Sequence, residues 1–145
     1  MLRDELEVCL NDVLVALQEA ADGHESAAPH LGERPEAARL RQLVERRRSD
    51  AQELAERLRA MGARPREADS EYETVLGMFA QVKASLAPDE VESLLEDRAE
   101  AEARIVEMAD LALACDDLPG DVADLLEKLK ADARGAAGEL GPTDA

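Results

Sequence analysis

Arg98 sits in the middle of an otherwise oily stretch and is ringed by acids, Glu96, Asp97, Glu100 and Glu102. The stretch, Leu94 to Ala114, repeats apolar residues at Leu94, Ala101, Ile105, Met108 and Ala112, in the three-, four- and seven-residue steps of one helix face. Arg47 interrupts a second stripe of this kind, Leu40, Leu43, Val44, Ala51, Leu54, Leu58 and Met61. A guanidinium on a buried face must be paired or reach water, because an unpaired buried charge is strongly destabilising. One reading is therefore a mid-bundle ion-pair cluster with Arg47 and Arg98 as cations and Glu100, aided by Glu19 or Glu53, as anions. The other is metal binding. Asp97 and Glu100 lie one helical turn apart and can share a divalent ion, with Glu19, Glu53 and His24 as further candidate ligands. His24 falls seven residues after Leu17 on the first stripe and so points inward, although a lone histidine is more often a hydrogen-bonded core residue than a ligand.

Five helices are needed to position these groups. The first runs from about Leu2 to Ala28, carries Leu6, Leu10, Val13, Leu17 and Ala20 on one face, and is stopped by Pro29. Pro35 suits the first position of the second, which ends at Gly62. Ser70 and Glu73, at capping-box spacing, open a shorter third helix to about Leu86, with Val75, Phe79 and Val82 on its inner face. Pro88, Asp89 and Glu90 open the fourth, which reaches about Cys115. Pro119 and Asp121 start the fifth, with Val122, Leu125, Leu126, Leu129, Ala133 and Ala136 inward. The domain spans 1–137, and the tail 138–145 should fray. Long helices in two hairpins, with a short helix between, describe a bundle with a crossover.

The chain has 145 residues, a net charge of −17, one Phe, one Tyr and no Trp. An interior built from Leu, Val, Ala and Met suits interdigitating helices better than sheets, so the fold class is all-α. The acidity repels nucleic acid and anionic membrane, and no apolar run nears the ~18 to 20 residues that span a bilayer. The acidic N-terminus lacks a signal-peptide pattern, so the expectation is a cytoplasmic protein with Cys9 and Cys115 as reduced thiols. Arg46, Arg47 and Arg48 make no basic patch, because consecutive helical residues are splayed by about 100°. No nucleophile–base pair, phosphate-cradling glycine loop or Cys-x-x-Cys is present.

Several segments, in order, resemble an uncharacterised bacterial family of ferritin-like four-helix bundles related to ferritin and rubrerythrin. They are Leu10-Asn11-Asp12-Val13-Leu14, Gly23, Met61-Gly62 with Pro65, Val82-Lys83-Ala84-Ser85-Leu86 and Leu118-Pro119. Asp97-Arg98-Ala99-Glu100 resembles the family's Glu-Arg-Gly-Glu. The resemblance implies a fold in which Glu and His side chains of facing helices hold two metals. It also implies that Cys9 and Cys115 are neighbours at one end of the bundle. This chain departs from the pattern: Ala21 replaces the acid before the glycine, Ala136 or Ala137 the last-helix histidine, and Glu-x-x-His is absent.

The reading is thus a ferritin-like bundle with a degenerate metal site and no cofactor. It is expected not to be an enzyme, but a structural or protein-interaction module, self-associating or bound to a protein partner, in a stress-related setting by analogy alone. Two alternatives stay open. One is a weak metal-binding or residual di-iron protein using iron or another divalent metal, with Glu45 as a further candidate ligand, and the other is an acidic inhibitor of a basic partner.

Overall fold

The computed structural model describes residues 2–68 and 86–141, and over these it is helical with no strand. Its elements are α1 (Leu2–Ala27), a 3-10 turn (Ala28–Leu31), α2 (Pro35–Ala60), α3 (Pro88–Leu113) and α4 (Gly120–Leu140). The short middle helix expected from Ser70 falls on residues 69–85, outside the described residues.

Local chemistry sets most boundaries. Pro29 does not halt the chain outright: α1 tightens at Ala27 into the 3-10 turn, and Gly32, at φ 57°, then reverses direction. Pro35 and Pro88 are the first residues of α2 and α3, each after an extended residue, where a missing N–H costs no helical hydrogen bond. Glu90 reaches back from the first turn of α3 to accept the Ala87 N–H at 3.2 Å. At the end of α2, Gly62 takes φ 82° while Ala63 N–H donates to Leu58 O at 2.9 Å and Gly62 N–H to Arg59 O at 3.0 Å. That pairing is a Schellman motif, and the left-handed residue it requires is the glycine. Finally, α4 runs three residues past the expected edge at 137, because Leu140 is buried in a cluster with Leu94 and Leu95 beside it.

Contacts fix the directions. Asn11 meets residues 64 and 66 just beyond α2, and Arg39, Arg46 and Arg57 of α2 pair with Glu139, Asp132 and Asp121 of α4 in reversed order. His24 near the end of α1 meets α3 at Glu102, and Lys130 of α4 pairs with Asp110 of α3. Hence α1 lies antiparallel to α2 and α3, and α4 antiparallel to the same two, so that α2 and α3 run parallel. The end of α2 and the start of α3 therefore lie at opposite ends of the bundle. The first residues after α2 already head back along α1. Asn11 Nδ2 donates to Arg64 O at 3.2 Å and Arg66 N–H to Asn11 Oδ1 at 2.7 Å, while Gln18 repeats the pattern with Arg66 O at 3.4 Å and the Ala68 N–H at 2.6 Å. Being seven residues apart, Asn11 and Gln18 share one face of α1 and strap this extended segment along it.

The apolar interior comes in two pieces. The larger joins Leu6 to Ala20 of α1 with Leu54 and Leu58 of α2, Ile105 to Ala112 of α3 and Val122 to Ala133 of α4. The smaller joins the 3-10 turn with Leu40, Leu43, Val91, Ala136 and Leu140. Leu54 and Ile105 are fully buried in the larger piece. Replacing either with alanine is expected to cost about 2 to 5 kcal/mol in urea unfolding, as large-to-small core changes do; neutral effects at both positions would contradict this packing.

Candidate functional site: a buried ionic layer

Between the two apolar pieces lies a layer of polar side chains drawn from all four helices. His24, Arg47 and Glu102 are 0 % exposed and Arg98 2 %. Glu102 is its centre. One carboxylate oxygen, Oε2, lies 2.9 Å from His24 Nε2, and both oxygens accept from Arg47 Nε at 3.0 Å, with Arg47 Nη2 donating to Oε1 as well. Arg47 Nη1 turns the other way, 2.8 Å from Asp50 and 2.8 Å from Asp132 of α4. On the far side of the histidine, Arg98 Nη1 lies 3.4 Å from His24 Nδ1, and Nη2 donates to Asp97 at 2.9 Å. The result is a transverse chain, Asp132–Arg47–Glu102–His24–Arg98–Asp97, crossing the bundle from the α2/α4 groove to the α1/α3 groove.

The partners assign the proton on the imidazole. A carboxylate only accepts and a guanidinium only donates, so Nε2 carries the hydrogen toward Glu102 and Nδ1 offers its lone pair to Arg98. A second proton on Nδ1 would point at a cation. Burial, reinforced by the charges of Arg98 and Arg47, accordingly holds His24 below the ordinary histidine value, despite the opposing pull of Glu102. For Glu102 burial pushes upward, but the hydrogen bonds from His24 and Arg47 prevail and hold it below its usual range. Burial also works against the charge on Arg47, and the hydrogen bonds it donates to Glu102 and Asp132 outweigh it, raising its already high value.

Gly23 makes the layer sterically possible. A Cβ there would stand 1.9 Å from Arg98 Nη1 and 2.6 Å from Cζ, so the guanidinium lies flat against backbone that carries no side chain. The arginine triplet is divided as helical splay dictates: Arg46 reaches Asp132 on one side, Arg48 reaches Glu25 of α1 on another, and Arg47 points between them into the interior.

The sequence-predicted residues scatter differently from the expected grouping. His24, Arg47 and Arg98 share the layer, but Glu100 is exposed and is replaced there by Glu102. The reason is the register of α3, whose buried positions are Val91, Arg98, Ile105 and Ala112 with Glu102 and Ala109. That stripe carries Glu102 inward four residues after Arg98, whereas the stripe through Leu94, Ala101 and Met108 is only half-buried. Glu19, Asp97 and Glu100 line the surface groove between α1 and α3, of about 450 Å³. Glu53 stands apart on α2, 3.9 Å from Arg57, and Glu45 lines the α2/α4 groove. Among the described residues, no three His, Cys, Asp or Glu side chains converge on a point where a metal ion would bind. The layer itself does not fit two metals either. Its buried centre offers one carboxylate, Glu102, and one imidazole, His24, already bonded to each other and flanked by two guanidinium groups that stay charged at any ordinary pH and repel a cation, while Asp50, Asp132 and Asp97 are tied to those guanidinium groups.

The family model described as a domain of unknown function, DUF2383, matches residues 6–115, and the chain belongs to that family. The match spans His24, Arg47, Arg98 and Glu102, with Asn11 and Gln18 of the strap; Asp132 lies beyond it. No curated protein matches the chain.

A neutral buried histidine makes stability depend on pH. The unfolded chain takes up a proton as pH falls below the ordinary value of 6.5, where folded His24 does not, so stability is complete above that pH and declines below it until the folded value is passed. Glu102 extends the loss below its ordinary 4.5. Glutamine at position 24 can donate and accept at the same two places without titrating. Urea unfolding between pH 7.5 and 5.5 should thus show a decline in the natural protein that is reduced in His24→Gln; parallel slopes would place the histidine in a different protonation state.

Proposed function

We propose that this chain is a non-catalytic, ferritin-like helical bundle in which an ionic layer replaces a two-metal centre, and that it serves as a structural or protein-interaction module. One observation carries the reading: two guanidinium groups, Arg47 and Arg98, occupy the middle of the bundle together with the buried carboxylate of Glu102 and the buried imidazole of His24. A metal-dependent oxidase needs that space for cations and open coordination positions, and guanidinium groups deny it both. The ferritin-like assignment is supported by the parallel course of α2 and α3 and by the segment that turns back along α1 after Gly62. An interaction role agrees with the net charge of −17, carried largely on exposed helix faces, which favours basic protein surfaces over nucleic acid. No helix among the described residues is long and apolar enough to cross a membrane; a cytoplasmic setting is part of the proposal.

A second reading has its own observation. Glu19, Asp97, Glu100 and Glu107 line one groove together with Arg98 and Arg104, and the net negative surface can hold a divalent cation weakly. Iron titration into tag-free protein, with metal analysis and near-ultraviolet absorption, distinguishes the two. The ionic-layer reading predicts no stoichiometric iron and no oxo-bridged iron band. Two tightly bound irons per chain would refute it, whereas weak, salt-sensitive binding lost in Asp97→Asn with Glu100→Gln would favour the groove.

A further inference from the structure

Away from the ionic layer, the antiparallel packing of α1 on α3 brings together the two cysteines of the chain. Cys9 lies in the third turn of α1 and Cys115 just beyond the end of α3, more than a hundred residues later in sequence. Both thiols are free, both are half-buried, and both pack against the larger apolar cluster. The register that sets His24 of α1 on Glu102 of α3 brings Cys9, fifteen residues before the one, and Cys115, thirteen residues after the other, to the same level of the helix pair, where Cys115 is the neighbour that acts on Cys9. Cys115 Sγ donates to Leu111 O at 3.5 Å in the last turn of α3. Neither belongs to the ionic layer or to the Asn11–Gln18 strap.

We propose that Cys9 and Cys115 form an oxidation site, at which a hydroperoxide converts the neighbouring thiols into an intramolecular disulfide that staples α1 to the end of α3. The chemistry closes without another reactant. One sulfur attacks the O–O bond of hydrogen peroxide, which becomes a sulfenic acid oxygen and a released water; the second sulfur displaces that oxygen as a second water, forming the S–S bond. Two thiols lose two electrons and two hydrogens, and the peroxide takes both. The reaction is slow near neutral pH, because the thiolate is the attacking form. Burial, the neighbouring Cys115 and the acids Asp12 and Glu5 push Cys9 up to about 11. The reduced pair is the resting state, and sustained peroxide is needed to close it.

Closing the bond links residues far apart in sequence, which restricts the unfolded chain and leaves the folded packing in place. The test uses the full chain incubated with hydrogen peroxide under native conditions, then analysed by non-reducing peptide mapping and thermal melting. The expected result is a monomer lighter by two hydrogens, a cross-linked Cys9–Cys115 peptide, and a melting temperature higher by about 5 °C or more. Dithiothreitol should reverse all three changes. Cys9→Ser and Cys115→Ser should each give no such peptide and no rise in melting temperature. Oxidation that ends in sulfinic or sulfonic acids without the cross-linked peptide, cross-links only between chains, or a cross-link that lowers the melting temperature would each overturn the proposal.

Discussion

The buried carboxylate of Glu102 permits the rest of this arrangement. Two guanidinium groups cannot stay in a helical interior without compensation, since an unpaired buried charge costs several kcal/mol. Glu102 answers Arg47 directly and Arg98 through the imidazole of His24. Asp50, Asp132 and Asp97 complete the outer ends of the chain nearer solvent. The layer also splits the apolar interior, so each half must be closed by its own leucines and alanines. Its members come from all four described helices, and so the layer sets register. Sliding any helix by one turn would leave at least one ion facing hydrocarbon, a penalty that generic leucine packing does not impose.

The same chemistry bears on function. Carboxylates and imidazoles in mid-bundle are the usual means by which a four-helix scaffold captures metals. Here the buried Glu102 and His24 hydrogen-bond each other, and arginines take up their remaining acceptor capacity. An imidazole held neutral between a donor and an acceptor serves as a rigid spacer, not as a proton carrier, until the pH falls far enough to charge it. Gly23 shows the same economy at the backbone level: Arg98 occupies the volume that a side chain there would fill.

Much of this was legible in the residues themselves. Apolar spacing located all four described helices, and prolines and Gly62 marked their ends, because those signals are local. The inward position of His24 followed from its place seven residues after Leu17, whereas the places of Arg47 and Arg98 on stripes left open whether they reach water or are buried, and the structure buries both. The choice of anion was not legible, since the helix around Arg98 offers two apolar registers three residues apart, and only packing against α1 and α4 selects the one that carries Glu102 inward. A strict count from Val91 through Arg98, Ile105 and Ala112 was the available clue. The strap made by Asn11 and Gln18 left no such trace. Its partners are backbone groups of an extended segment, which carry no side-chain signature.

The central claim is that the burial of Arg47 depends on Glu102. A double-mutant cycle measures it directly: unfolding free energies of Arg47→Met, Glu102→Gln, and the two together. The account predicts that each single change costs about 3 to 5 kcal/mol by stranding the other partner. The double variant should be less destabilised than the sum by about 2 kcal/mol or more, near the upper range for coupled buried partners. Additive single effects, each below about 1 kcal/mol as for exposed pairs, would mean that these side chains are solvated and that the ionic layer does not organise the bundle.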